Sequence, residues 1–277
     1  MKQTWQSGDA TLAFYDSGTG MPVVFLHPTP FDYFFWNPLV ARLTGIRAIV
    51  PDLRGHGASD LGTGLPIGLF PHVPDAPALT MEQLAMDVLR LLDRLDIPSA
   101  VFAGCSIGGY VLLELWRRVP RRMHGLAFVC SKPQPDAEAN FLKRAATIAQ
   151  ARAGATSAVF DGMAQSLIGL TTQKNLPAVQ SELRQRMTIS PEALIAVQAG
   201  LAVRPDSVPT VATITVPVLA IAGGEDPVIT PAEMEVFRTA PGGCDFHLLP
   251  HAGHLAAYEQ PDAVASLFAP WLARLSA

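Results

Sequence analysis

Cysteine is scarce in this chain of 277 residues. The three present, Cys105, Cys130 and Cys244, show neither metal-ligand spacing nor an even count, which argues against a disulfide framework or a zinc site. Charge is sparse too: 16% of residues are charged and the net charge is −4, which leaves no electrostatic footprint for nucleic acid or an anionic membrane. The basic cluster Arg117, Arg118, Arg121 and Arg122 falls where a helix should end, and reads as a solvated terminus favoured by the helix dipole. No apolar run is long and uninterrupted enough to cross a bilayer. The first ten residues lack the apolar core of a signal peptide, so a soluble, cytoplasmic protein is expected. No fixed-period repeat is present, which excludes a solenoid, and nothing in the sequence indicates an oligomeric state.

What the chain has in abundance is apolar surface, at 49% of residues, enough for one large α/β domain with an insertion. Short continuous apolar runs, Pro22–Leu26, Ile46–Val50 and Ala100–Ala103, read as strands buried on both faces. Further strands are predicted at Thr11–Tyr15, Gly125–Val129, Val216–Ala222 and Cys244–Leu249. Thr80 reads as the N-cap of a helix running to Leu95, with Leu84, Val88, Leu91, Leu92 and Leu95 as its apolar stripe, and Pro261–Leu275 reads as a closing helix. Strands alternating with helices imply a mainly parallel sheet covered on both faces. Residues 132–207 contain no convincing strand but four helical patterns, at 139–152, 157–168, 176–187 and 191–202. They predict a helical cap inserted into a core made of residues 1–131 and 208–277.

Ligands on such sheets bind at the carboxyl ends of the strands. His27, Asp52, Ser106, Ser131, Asp226 and His254 all lie at or just after such an end. Gly104-Cys105-Ser106-Ile107-Gly108 joins a predicted strand to a predicted helix, so Ser106 sits on a sharp turn with its hydroxyl pushed outward. Gly104 and Gly108 are needed where the helix folds back on the strand. Cys105 occupies the position of this turn whose side chain points away, and reads as packing. A serine hydroxyl becomes a useful nucleophile when a histidine takes its proton and a third group fixes that histidine. His254, in the loop between the last strand and last helix, is the best candidate base, in competition with His247 and His251. Asp226 is the best candidate acid, in competition with Glu225. Pro250 and Gly253 prevent a helical face that would gather the three histidines, so no metal and no cofactor are expected. The glycine-rich stretch Gly62–Gly68 has the wrong spacing for a phosphate loop and reads as a mobile loop. His56 reads as a residue that ties loops together beneath the site.

Four motifs carry a resemblance to a known family: Phe25-Leu-His-Pro-Thr-Pro30, Asp52-Leu-Arg-Gly-His-Gly-Ala-Ser59, the Ser106 turn, and the Asp226 and His254 loops. The chain resembles the α/β-hydrolase superfamily over nearly its whole length, most closely the serine esterase and enol-lactonase-like members with a helical cap. The order Ser106, Asp226, His254 is the order found in that family. The resemblance implies a catalytic triad of these three residues and an oxyanion hole formed by the backbone N–H groups of Thr29 and Ile107. It implies cleavage of carboxylic esters through an acyl-enzyme. Lactone hydrolysis and carbon–carbon bond hydrolysis are alternatives, and a ligand-binding receptor of the same fold is the rival from another class. This chain departs from the family pattern at Pro28, where glycine is usual. A small apolar ester or lactone is the expected partner, held by Phe31, Trp36, Met163 and Leu167.

Overall fold

Val101, Phe102 and their neighbours in β5 (Ala100–Cys105) are buried without exception, as an apolar run lying between two other strands and two helical layers must be. In the computed structural model, which describes residues 2–275, this strand lies inside an eight-stranded sheet of order β1-β2-β4-β3-β5-β6-β7-β8. The others are β1 (Lys2–Ser7), β2 (Ala10–Gly18), β3 (Met21–Leu26), β4 (Ile46–Pro51), β6 (Met123–Val129), β7 (Val218–Gly223) and β8 (Cys244–Leu249). β1 and β2 are antiparallel additions at one edge; from β4 to β8 every pairing is parallel. This is the mainly parallel sheet expected from the alternation of strands and helices, in keeping with the α/β-hydrolase fold that the resemblance implies.

Side chains alternate across the strands and build two cores. Val24, Leu26, Ala100 and Phe102 face one, which α1 (Met81–Arg94) and α2 (Ile107–Arg118) cover. Val23, Phe25, Val101 and Ala103 face the other, against Val264, Phe268 and Trp271 of α8 (Pro261–Leu275). The Thr80 hydroxyl accepts from Gln83 N as the expected N-cap of α1, and Leu84, Val88, Leu91 and Leu92 are buried.

The segment expected to be a cap holds five helices and no strand: α3 (Glu138–Arg152), α4 (Thr156–Ser166), α5 (Leu170–Asn175), α6 (Pro177–Arg186) and α7 (Pro191–Ala202). The core boundaries drawn from the sequence reach residues 1 and 277, which lie outside the described residues. Helix α7 is docked by backbone: Leu79 N donates to Ala196 O, and a β-carbon on Gly200 would meet Leu79 O at 1.8 Å. Gly200→Ala is therefore expected to destabilise the fold by about 1–3 kcal/mol, read as a lower midpoint in urea denaturation.

The glycine-rich stretch differs from its expectation of mobility. Asp9 accepts from Thr63 N and Gly64 N at 2.6 and 2.8 Å and from Arg54, which is buried and also pairs with Asp87 at 2.8 Å. The loop is thus fastened to the first hairpin and to α1. The arginines at the end of α2 are likewise not simply solvated, since Arg117 and Arg118 pair with Glu114, and Arg122 with Asp93.

Candidate active site

Ser106 has φ 51° and ψ −117°, a left-handed conformation that costs a non-glycine residue energy. The turn is locked from both sides. A β-carbon on Gly104 would lie 2.4 Å from Gly108 C, and one on Gly108 would lie 2.2 Å from Leu26 O. The amino end of α2 therefore presses on the end of β3, and this brings the Ser106 turn beside the His27–Pro30 loop. The Ser106 carbonyl accepts from Ser131 Oγ at 2.9 Å, which ties the turn to the end of β6.

His254 and Asp226 meet across 28 positions of sequence, with Nδ1 2.8 Å from Asp226 Oδ2. Both are buried. The other carboxylate oxygen of Asp226 accepts from Val228 N and Ile229 N at 2.8 and 3.0 Å, so backbone donors hold it in place. With Nδ1 donating to the carboxylate, Nε2 is left as the acceptor nitrogen of the imidazole. The histidine loop abuts the Ser106 turn: Cys105 Sγ lies 3.8 Å from His254 O and Cys130 Sγ 3.5 Å from Gly253 O. Burial pushes both thiols well up, so they pack rather than react. The competitors are placed elsewhere. His251 is exposed, 3.7 Å from Glu225, and His247 lies on β8. Glu225 accepts from Thr171 N and Thr171 Oγ1 and faces His251, not His254.

Among the described residues, no protein acceptor engages the backbone N–H of Thr29 or of Ile107. Ile107 is the first residue of α2, where an N–H lacks an intrahelical partner. The loop carrying Thr29 is set by two neutral histidines. His56 Nδ1 donates to Arg54 O at 3.0 Å, so its Nε2 accepts from the Thr29 hydroxyl, also at 3.0 Å. His27 Nδ1 donates to Pro28 O and its Nε2 accepts from Leu53 N at 2.9 Å. Pro28 thus serves through its carbonyl, which also accepts from Phe31 N.

The sequence profile of the alpha/beta hydrolase family matches residues 23–267. The chain belongs to the alpha/beta hydrolase family. A 3-oxoadipate enol-lactonase from Acinetobacter baylyi is 28% identical over 255 residues, covering 89% of this chain and 86% of that protein. A thermophilic esterase from Thermogutta terrifontis, solved with malate bound, superposes with TM-score 0.88 at 31% identity over 99% of both chains. The enol-lactonase of Burkholderia xenovorans LB400 superposes with TM-score 0.85 at 25% identity, covering 98% of this chain and all of that one. These neighbours support hydrolase activity.

Within this alpha/beta hydrolase, the aromatic side chains expected to line a pocket are distributed otherwise. Trp36 has no exposed surface and packs on Phe25 and Phe35, with centroids at 5.3 and 4.9 Å. It is a core residue, because its run folds into a turn whose apolar side faces β3. Phe31 is 2% exposed and packs in the same core, beside Phe35. Met163 is half-buried, and Leu167 reaches the site by its backbone, its carbonyl accepting from His254 N at 2.9 Å.

Glu259 is a residue that sequence reasoning missed. Its buried carboxylate accepts from Gly253 N (3.0 Å), Leu255 N (3.2 Å) and Gly169 N (2.9 Å), joining both flanks of His254 to the helical segment. Its spacing of five residues after His254 was a visible signal, but three backbone donors converging on one carboxylate leave no mark in sequence.

The two buried histidines make stability depend on pH. Burial drives His27 down to about 4, and burial with the neighbouring His27 drives His56 down to about 3. Both values lie below the unfolded value of about 6.5, so their contribution is complete above that pH and lost as pH falls through it. Asp52, pushed up to about 6 by burial, opposes this in part. Lowering pH from about 7 to about 5.5 is expected to cost roughly 1–2 kcal/mol of unfolding free energy. Urea denaturation at the two pH values measures it; equal midpoints would refute the neutral-histidine assignment.

Proposed function

We propose that this protein is a serine hydrolase of carboxylic esters, lactones included. The observation that carries the reading is the buried His254–Asp226 pair brought against a strained serine turn at the carboxyl edge of the sheet. In this reading Ser106 Oγ attacks the substrate carbonyl as its proton passes to His254 Nε2. Asp226 holds the imidazole in the required tautomer and stabilises the imidazolium. The N–H groups of Thr29 and Ile107 donate to the tetrahedral oxyanion. His254 then protonates the leaving alkoxide and an acyl-Ser106 ester remains. Water, deprotonated by the same nitrogen, attacks that ester; the acid departs and Ser106 regains its proton.

The helical segment 132–207 would cover this centre as a cap, in keeping with the bond from His254 N to Leu167 O. The resemblance to enol-lactonases gives lactones a specific claim beside open esters. Both demand the same acyl transfer, and a lactone differs only in that its leaving alkoxide stays tethered to the acyl group. Hydrolysis of p-nitrophenyl esters of graded acyl length, with a pH-stat assay of lactones in parallel, tests the proposal. Multiple turnovers on either class are expected; a folded protein that turns over neither would overturn the hydrolase reading.

A further inference from the structure

Of the motifs that carry the family resemblance, Asp52-Leu-Arg-Gly-His-Gly-Ala-Ser59 supplies no group to the chemistry. Its place in the structure gives it a task. The loop is bolted to β2: Asp52 N donates to Ala13 O, Ala13 N to Ser59 Oγ, and Ser59 Oγ to Asp52 O. Gly57, at φ 53°, lets the loop fold so tightly that a β-carbon there would lie 2.5 Å from Asp52 Oδ2. From this fixed base, side chains and backbone reach the loop that carries Thr29. Asp52 Oδ1 accepts from Tyr33 N at 2.8 Å, Leu53 N donates to His27 Nε2 at 2.9 Å, and His56 Nε2 accepts from the Thr29 hydroxyl at 3.0 Å.

The bond to His27 reaches furthest toward the chemistry. Because Leu53 N–H occupies Nε2, the neutral ring carries its proton on Nδ1, which donates to Pro28 O at 3.0 Å. His27 has no exposed surface, so this donor has no water to turn to. The Pro28–Thr29 peptide is trans and planar, so its C=O and N–H are directed oppositely. Holding Pro28 O toward the buried ring therefore turns the Thr29 N–H away from it. A hydrogen bond on the carbonyl also polarises the amide and strengthens its N–H as a donor. Pro28 and Pro30 have no N–H, so no neighbour can take over if this one amide is misdirected.

We infer that His27 is a positioning residue for ester cleavage: through Pro28 O it aims and polarises the Thr29 N–H that donates to the oxyanion. The Asp52–Ser59 motif is the footing of that device. The inference rests on the hydrolase reading for its reaction, but the aim of the amide can be tested without turnover.

Two substitutions separate the two ring nitrogens. The side-chain amide of asparagine reaches as far as Nδ1 and can donate to Pro28 O, whereas that of glutamine reaches as far as Nε2 and serves Leu53 N instead. In hydrolysis of p-nitrophenyl butyrate, His27→Gln is expected to lower kcat about thirtyfold with KM within about twofold. An oxyanion donor acts in the transition state, and its complete loss costs about 10²–10³ in kcat. His27→Asn should keep kcat within about fivefold of wild type. Each variant gives up one buried bond, so the thermal midpoints should fall alike while the two kcat values part. Equal loss of kcat in both, loss confined to KM, or wild-type kcat in His27→Gln would each overturn the assignment. Nitrogen-15 NMR of the wild type reads the His27 tautomer with no substitution at all, and a proton on Nε2 would overturn it too. Residual dipolar couplings of the Thr29 N–H should match in wild type and His27→Asn and differ in His27→Gln; an unchanged coupling in His27→Gln would refute the aiming. The expected pattern in a protein that cleaves no ester would keep the aimed amide and remove the hydrolase reading alone.

Discussion

Replacing Ser106 with alanine is expected to reduce ester turnover by about a millionfold, to the background left by binding and the oxyanion donors. The fold should survive. The serine hydroxyl is not needed for the turn, which is held by backbone: Ser106 N donates to Val129 O, and its carbonyl accepts from Gly109 N and Ser131 Oγ. Alanine in this left-handed conformation costs little more than serine does, so the thermal midpoint should move by only a few degrees, at about 2–4 °C per kcal/mol. Stopped-flow kinetics with p-nitrophenyl acetate gives a second readout, since the burst from acylation should vanish with the turnover. Residual hydrolysis within tenfold of wild type would place the nucleophile elsewhere; the two thiols packed against the His254 loop, Cys105 and Cys130, are buried and pushed well up.

The second large effect is expected at Asp226. Asp226→Asn should lower kcat by about ten thousandfold, because the amide cannot accept the Nδ1–H and the imidazole turns to the wrong tautomer. Val228 N and Ile229 N, which now donate to Oδ1, can still donate to the amide oxygen, so the loop keeps its shape. Glu225→Gln is the matched control. Glu225 bonds Thr171 and faces the exposed His251, not His254, and its loss should affect the helical segment more than the chemistry. If the two variants fell in activity equally, the pairing of His254 with Asp226 would not be the one that operates.

Much of this was legible in the sequence, for a physical reason. Strands buried on both faces must be continuous apolar runs, so β3, β4 and β5 stood out, and the residue that ends each one had to reach the same edge of the sheet. Ser106, Asp226 and His254 could therefore be placed together before any coordinates. β1 was not visible, because its outer residues are exposed and its run Lys2-Gln-Thr-Trp5 is polar at an edge. The short helix α5 was missed since Gly169 and Pro177 bracket too few residues for a period to register. Trp36 was placed in a pocket because aromatic composition says nothing of which side of a turn faces inward. The Asp136 cluster was hidden most thoroughly. Asp136 bonds Arg144 and Arg204, which lie 8 and 68 positions away, and the three meet only once α3 and α7 are packed together.

The carboxylate of Glu259, the Thr171–Glu225 bonds and the Leu167 carbonyl stitch residues 167–171 to the loops that carry Asp226 and His254. A roof nailed down along one eave can lift only at the opposite one. In the proposed arrangement, swinging that margin upward would strip acceptors from buried amides next to the imidazole, so substrate and product are expected to pass at the opposite margin. The fixed seam would then keep the histidine in register through each exchange.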